Sequence, residues 1–265
     1  MLTAFLLYIV LGVFAGILAG LLGIGGGLVI VPMLTFAFTW QGIPSEHLLH
    51  MALGTSLATI IFTSISSFMA HHRRGAVLWD VFWRIMPGIL IGTFFGAWVA
   101  SLLSTAVLKM FFGLFLYFVS YQMLTGKKPK PSRTIPGMIP LFGVGGGIGT
   151  ISALVGIGGG TLSVPFLVWC NTAIPVAIGT ASAIGLPIAL SGTLGYVVNG
   201  IGVAGLPDWT IGYVYLPALV GIVATSFPMA PLGAKLAHTL PVATLKKVFA
   251  VLLFIVGTRM LWSLL

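Results

Sequence analysis

Apolar residues in this chain come in long unbroken blocks, without the alternation of half-buried strands or the stripes of surface helices. Residues 48–70, 79–101, 106–125, 176–198, 211–232 and 248–265 are each near the roughly 20 apolar residues that a helix needs to cross a bilayer. Two further stretches, 2–38 and 137–170, are too long for one crossing. As a single helix the first would reach about 55 Å, against a hydrocarbon core of about 30 Å. Each carries G-I-G-G-G near its middle, at Gly23–Gly27 and Gly156–Gly160. Each glycine costs a helix about 1 kcal/mol, so both stretches are expected to break there. The arms that follow, about 28–38 and 161–170, are short for full spans and read as half-helices. The pattern predicts an all-α polytopic membrane protein with about eight full spans plus short half-helices, up to ten segments.

The two broken stretches are copies of one another. AGLLGIGGGLVIVPML (19–34) aligns with SALVGIGGGTLSVPFL (152–167), which places Gly23, Gly25, Gly26, Gly27 and Pro32 on Gly156, Gly158, Gly159, Gly160 and Pro165. Further on, Gly54-Thr55 matches Gly179-Thr180, Gly96-Ala97 matches Gly233-Ala234, and Leu108-Lys109 matches Leu245-Lys246. The chain therefore divides into a first transmembrane repeat, 1–126, a basic linker, 127–133 (KKPKPSR), and a second transmembrane repeat, 134–265.

Composition removes the main alternatives. The chain is 58% hydrophobic and 6% charged, with a mean hydropathy of +1.17. A soluble domain carries about a quarter charged residues, so a soluble enzyme is excluded. The net charge of +9 lies in short breaks between apolar blocks, which fits a membrane face better than nucleic acid. The N-terminal stretch has no basic n-region, since the first Lys or Arg is Arg73, and is expected to belong to the mature protein. Two topologies are open. If each broken stretch crosses once or re-enters, the halves are parallel; if both arms cross, the halves are inverted. With the linker inside, the inverted arrangement leaves only Lys109 and Arg259 outside, and the excess of basic residues on the cytoplasmic side favours it.

Broken helices at membrane depth are tolerated only where protein or a water-filled cavity surrounds them. Half-helix N-termini present free N–H groups and a positive dipole end to anions. Gly23, Gly25, Gly26, Gly27 and Gly156, Gly158, Gly159, Gly160 are the candidate anion donors, and glycine leaves the backbone open to close approach. The hydroxyls of Thr55, Ser56, Thr180 and Ser182 form a second layer. Pro32, Pro165, Cys170 and Asn199 are secondary candidates. Tight helix packing is the competing reading for the glycines, and back-bonding to their own helix is that for the hydroxyls. Asp80 and Asp208 are expected at helix starts as N-caps. His47, His50, His71 and His72 are candidates for proton exchange, set against plain helix-end charge. No paired carboxylates and no H-E-x-x-H occur, so no enzyme, metal or cofactor is expected.

The doubled G-x-G-G-G with its downstream proline, together with Ala52–Ser56 (A-L-G-T-S) and Ile178–Ser182 (I-G-T-A-S), resembles the TauE/SafE sulfite exporter family of bacterial and plant permeases. The resemblance spans the whole chain. It implies a secondary transporter of small sulfur-containing anions such as sulfite, thiosulfate, sulfoacetate or related organosulfonates. The expected partners are that anion, a coupling proton and the lipid bilayer of a bacterial inner membrane, with the linker cytoplasmic, and the oligomeric state is left open. A passive anion channel and a non-transporting membrane subunit are the alternatives.

Overall fold

The computed structural model describes residues 2–22, 26–126, 132–236 and 242–264. Among them are ten helices and one two-stranded hairpin. The first repeat contains α1 (Leu2–Leu22), α2 (Gly27–Trp40), α3 (Leu48–His72), α4 (Trp79–Leu102) and α5 (Thr105–Thr125). The second contains α6 (Met138–Val155), α7 (Gly160–Trp169), α8 (Ile174–Gly200), α9 (Leu216–Leu236) and α10 (Val242–Trp262), with β1 (Thr210–Ile211) and β2 (Val214–Tyr215) between α8 and α9. Five of the described helices (α3, α4, α5, α6 and α8) are long and apolar enough to cross a membrane. Large side chains such as Ile91, Phe95 and Trp98 face outward, as they do when the surrounding solvent is lipid. The molecule is an all-α polytopic membrane protein.

In lipid, apolar surface gives helices little reason to associate, so close backbone approach must hold them together. The tightest pairs cross between the repeats. Along α4 and α6, a Cβ on Gly88, Gly92 or Gly96 would collide with the backbone of Phe142, Gly146 or Thr150 in turn. Both sequence numbers rise together, so α4 and α6 are parallel. Along α1 and α9, Gly12 sits against Ile222 and Thr225, and Gly16 against Ser226 and Met229, again in parallel.

The repeat-equivalent helices behave differently. In α3 and α8, Gly54 meets Tyr196, Leu57 meets Gly192, Ser64 meets Gly185 and Ser67 meets Ser182. In α5 and α10, Gly113 meets Leu261 while Ser120 donates to Ala250 O at 2.7 Å. One number rises as the other falls, so both pairs are antiparallel. Equivalent helices running in opposite directions is the relation that an inverted repeat requires. Exchanging α1 with α6, α3 with α8, α4 with α9 and α5 with α10 maps these pairings onto themselves.

These directions sort the helix ends onto two faces. The ends of α3 and α5 and the starts of α4, α6, α8 and α10 share one face, here the linker face, together with Ser132 and Arg133. The starts of α3, α5 and α9, the end of α8 and the hairpin share the other.

The sequence reading differs from the fold at two places. Residues 211–215, expected to begin a span, form the hairpin, and α9 starts at Leu216. Gly212 has φ 55° at the hairpin turn, and Thr55 takes the N–H of Tyr215, so the chain stays out of a helix until Leu216. Neither acid is an N-cap. Asp208 lies in the loop before the hairpin, and Asp80, in the first turn of α4, pairs with Arg84 one turn on.

Two outcomes follow. Single cysteines replacing Arg74 and Lys247, in a Cys170→Ala background, should be modified from the same side of the membrane, and one replacing Asp208 from the opposite side. Gly92→Leu should destabilise the folded protein by at least about 1–3 kcal/mol in detergent unfolding, because backbone occupies the space a side chain needs.

Candidate functional site

The two breaks meet at the centre of the molecule. Gly156 ends α6 with φ 66°, and Gly26 precedes α2 with φ 76°. Both conformations are ones that glycine alone adopts cheaply. A Cβ on Gly27 would strike Gly156 O and lie 2.8 Å from Ile157 Cα. The N-terminus of α2 therefore starts against the second break. From there α2 runs to the hairpin face, where Gln41 donates to Tyr8 OH, and α7 runs to the linker face. At 14 and 10 residues, α2 and α7 reach about 21 and 15 Å, so neither spans the core alone. Gly23 and Gly25 lie outside the described residues.

The second break is rich in unpaired donors. Among the described residues, the first N–H beyond Ile157 to find an acceptor is that of Ser163, which bonds Gly159 O at 2.9 Å. The N–H groups of Gly158, Gly159 and Gly160 have none. Thr161 and Ser163 follow at once on α7; both side chains are buried and their hydroxyls lack partners among the described residues.

Beside this break, α8 carries a missing side chain. A Cβ on Gly185 would lie 2.9 Å from Ser64 Oγ and 3.5 Å from Gly159 N. The glycine lets α8 close directly on the Ser64 hydroxyl and the Gly159 N–H, a junction too tight for any side chain. One turn away Ser67 donates to Ser182 Oγ at 3.2 Å. Gly185, Ser64 and Ser67 were not among the sequence candidates. The signal that finds them is a difference between the repeats: with Thr55 aligned on Thr180, Gly185 falls on Ile60 and Ser64 on Ala189. Ile60 is fully buried, and its Cδ1 lies 3.1 Å from the Cβ position of Gly27. The first repeat packs a large side chain where the second brings its backbone against Ser64 and Gly159.

Other candidates have structural partners. Thr55 Oγ1 accepts from Tyr215 N at 3.0 Å, and Thr180 Oγ1 accepts from Leu78 N at 2.9 Å. Both side chains have 0% exposure. Each hydroxyl clasps the residue that precedes the fourth helix of the opposite repeat. Ser56 Oγ donates to Gly156 O at 2.8 Å and pins the second break to α3. Ser182 back-bonds to Ile178 O and accepts from Ser67. Pro32 and Pro165 sit inside α2 and α7. Asn199 bonds Gly195 O on its own helix near the hairpin face, away from the breaks. Cys170 closes α7 at the linker face, where Ser132 and Arg133 donate to Trp169 O. Burial pushes its thiol up, opposed by Arg133.

The centre carries no fixed charge among the described residues. Arg84 is taken by Asp80 near the linker face, and Arg259 lies over the Phe36 ring at 5.1 Å. No group of three or more His, Cys, Asp or Glu side chains suited to a metal occurs among the described residues. What remains is a buried, uncharged set of N–H and O–H donors facing two helix N-termini, which suits a small anion.

Comparison with known proteins agrees with this picture. The family model described as sulfite exporter TauE/SafE matches residues 8–260. A "probable membrane transporter protein" of Haemophilus influenzae is 41% identical over 263 residues, covering 98% of this chain and 99% of that one. The "probable membrane transporter protein YunE" of Bacillus subtilis is 26% identical, covering 98% of each. No solved structure matches. With broken helices meeting at its centre and the family model matching nearly end to end, this chain belongs to the TauE/SafE sulfite exporter family of membrane transporters.

Proposed function

We propose that the protein is a secondary transporter of small sulfur-containing anions, such as sulfite, thiosulfate, sulfoacetate or related organosulfonates, working without ATP. The observation that supports this reading is the convergence of two half-helix N-termini, with Gly27 against Gly156 and Ile157, beside the buried Thr161 and Ser163 hydroxyls, which lack partners among the described residues. The family's description names sulfite, and relatives are named as transporters. The anion sits against the second break. The N–H groups of Gly158, Gly159 and Gly160, with Ser64, Ser67, Ser182 and Thr161, supply its donors, and Gly26 and Gly27 close the site from the first repeat. The clasps made by Thr55 and Thr180 join the repeats as they rock about this point.

A donor set without Lys or Arg suits turnover. A buried cation is expensive in the membrane and would hold an anion too long. Uncharged hydrogen bonds each contribute about 0.5–1.5 kcal/mol net, so several together bind a ligand and still release it. The excess of basic residues at the linker face makes that face cytoplasmic.

The test is uptake and binding of these anions by purified protein in liposomes. Gly185→Val should abolish flux, because its side chain forces α8 away from Ser64 and the Gly159 N–H and spoils the alignment of the donors. Ser64→Ala should weaken binding about two- to tenfold, equivalent to the loss of one such hydrogen bond. Thr180→Val should instead lower unfolding stability by about 1 kcal/mol with little change in affinity. Normal flux in the Gly185→Val protein would sink this site. Wild-type protein that moves none of these anions would sink the function.

A further inference from the structure

The hairpin face is sealed by aromatic side chains. Tyr213 and Tyr215 of the hairpin are buried, and Tyr215 meets Tyr8 and Phe38 edge-on at 6.3 and 5.6 Å. Tyr213 meets Tyr196 edge-on at 6.3 Å and stacks on His50 at 5.2 Å and 27°. The seal covers the end of the α3–α8 pair that leads to the breaks.

His50 is 4% exposed, in the first turn of α3. Its Nε2 lies 3.0 Å from Ala100 O and 3.1 Å from Leu103 O. A carbonyl only accepts, so Nε2 carries the hydrogen. That fixes the neutral tautomer and leaves Nδ1 as a bare lone pair. Nδ1 is buried and has no partner among the described residues. It is therefore the place where a proton adds. The two carbonyls close the C-terminal end of α4, which attracts a cation. An imidazolium also interacts more strongly than a neutral ring with the aromatic face of Tyr213.

We propose that His50 is a proton-binding site, and that a proton on Nδ1 locks the hairpin onto α3 and shuts this end of the molecule. Protonation tightens both contacts at once, the one to the end of α4 and the one to Tyr213. Its loss weakens the seal to the level of a neutral ring pair. The other ionisable groups on the elements packed here are Glu46 and His47 in the loop before α3, Lys109 on α5, Tyr196 on α8, and Asp208 and Tyr215 around the hairpin. His47 is 6.2 Å from the Tyr213 ring and does not stack on it. Burial first, and then Glu46, push the Tyr213 phenol up, so Tyr213 stays neutral while a histidine titrates. The proposal rests on the transport reading only for its physiological meaning.

Amide hydrogen exchange over residues 210–215 tests it without substrate, in wild-type protein, with rates corrected for the intrinsic effect of pH. Protection of the hairpin should rise roughly five- to thirtyfold as the pH is lowered far enough to protonate His50, the factor that one or two kcal/mol supplies. His50→Gln keeps a donor for the carbonyls but cannot titrate, and should flatten the response. His47→Gln should leave it intact. Where His50→Gln does not fold, Tyr213→Leu keeps the imidazole and removes its stacking partner, and should flatten the response as well. A flat wild-type profile, or a pH response that survives in whichever of His50→Gln and Tyr213→Leu folds, overturns the proposal. A switch that persists in protein showing no anion flux overturns the transport reading alone.

Discussion

Every backbone N–H and C=O inside a bilayer must find a partner within the protein, because lipid offers none. Most of this chain meets that constraint with continuous helices. At Gly156–Gly160 it does not: the helix stops, the chain passes through three glycines, and a new helix begins. The protein surrounds this defect rather than repairing it. Ser56 takes up Gly156 O, Tyr196 bonds Ala153 O, and Gly27 of the other break lies against Gly156 and Ile157. The carbonyls of Ala153 and Gly156 thus find partners, while the N–H groups of Gly158 to Gly160 have none among the described residues. Unpaired donors without a charged residue are what the proposed anion site would use.

Holding such a defect requires rigid walls, and the walls are made of glycine. The α4–α6 contact and its counterpart α1–α9 bring backbones together where any side chain would collide. Both contacts cross from one repeat to the other. The hydroxyl clasps of Thr55 and Thr180 cross in the same way, so each repeat is braced on the other at three levels.

Much of this was legible in the residues. The apolar blocks located most of the spans, the duplicated glycine cluster located the breaks, and the arms after them are short helices as their lengths implied. The hairpin was missed because Ile211 to Tyr215 are apolar enough to begin a span; the bonds that hold them out of one include contacts to Thr55 and Tyr196, far away in sequence. The hydroxyls of Thr55 and Thr180 were read as ligand donors because repeat-equivalence marks importance without saying for what. The close approach at Gly185 was missed for the opposite reason. Gly185 matches nothing in the first repeat, and attention to similarity passes over it. Its partner position, Ile60, shows that the difference between the copies carries the information.

The crossed pairing also sets an order of assembly. As the chain leaves the ribosome from its N-terminus, α1 enters the bilayer first, but its main contact surface belongs to α9, which begins at Leu216. At about 5–20 residues per second, α1 waits roughly 10–40 s for that partner. During this interval Gly12 and Gly16 face lipid or a chaperoning surface of the insertion machinery. The mirror contact has no such delay, since α4 is complete before α6 is made. Maturation is therefore asymmetric even though the finished architecture is nearly symmetric: α6 docks on α4 as it emerges, whereas α1 waits longest for its partner.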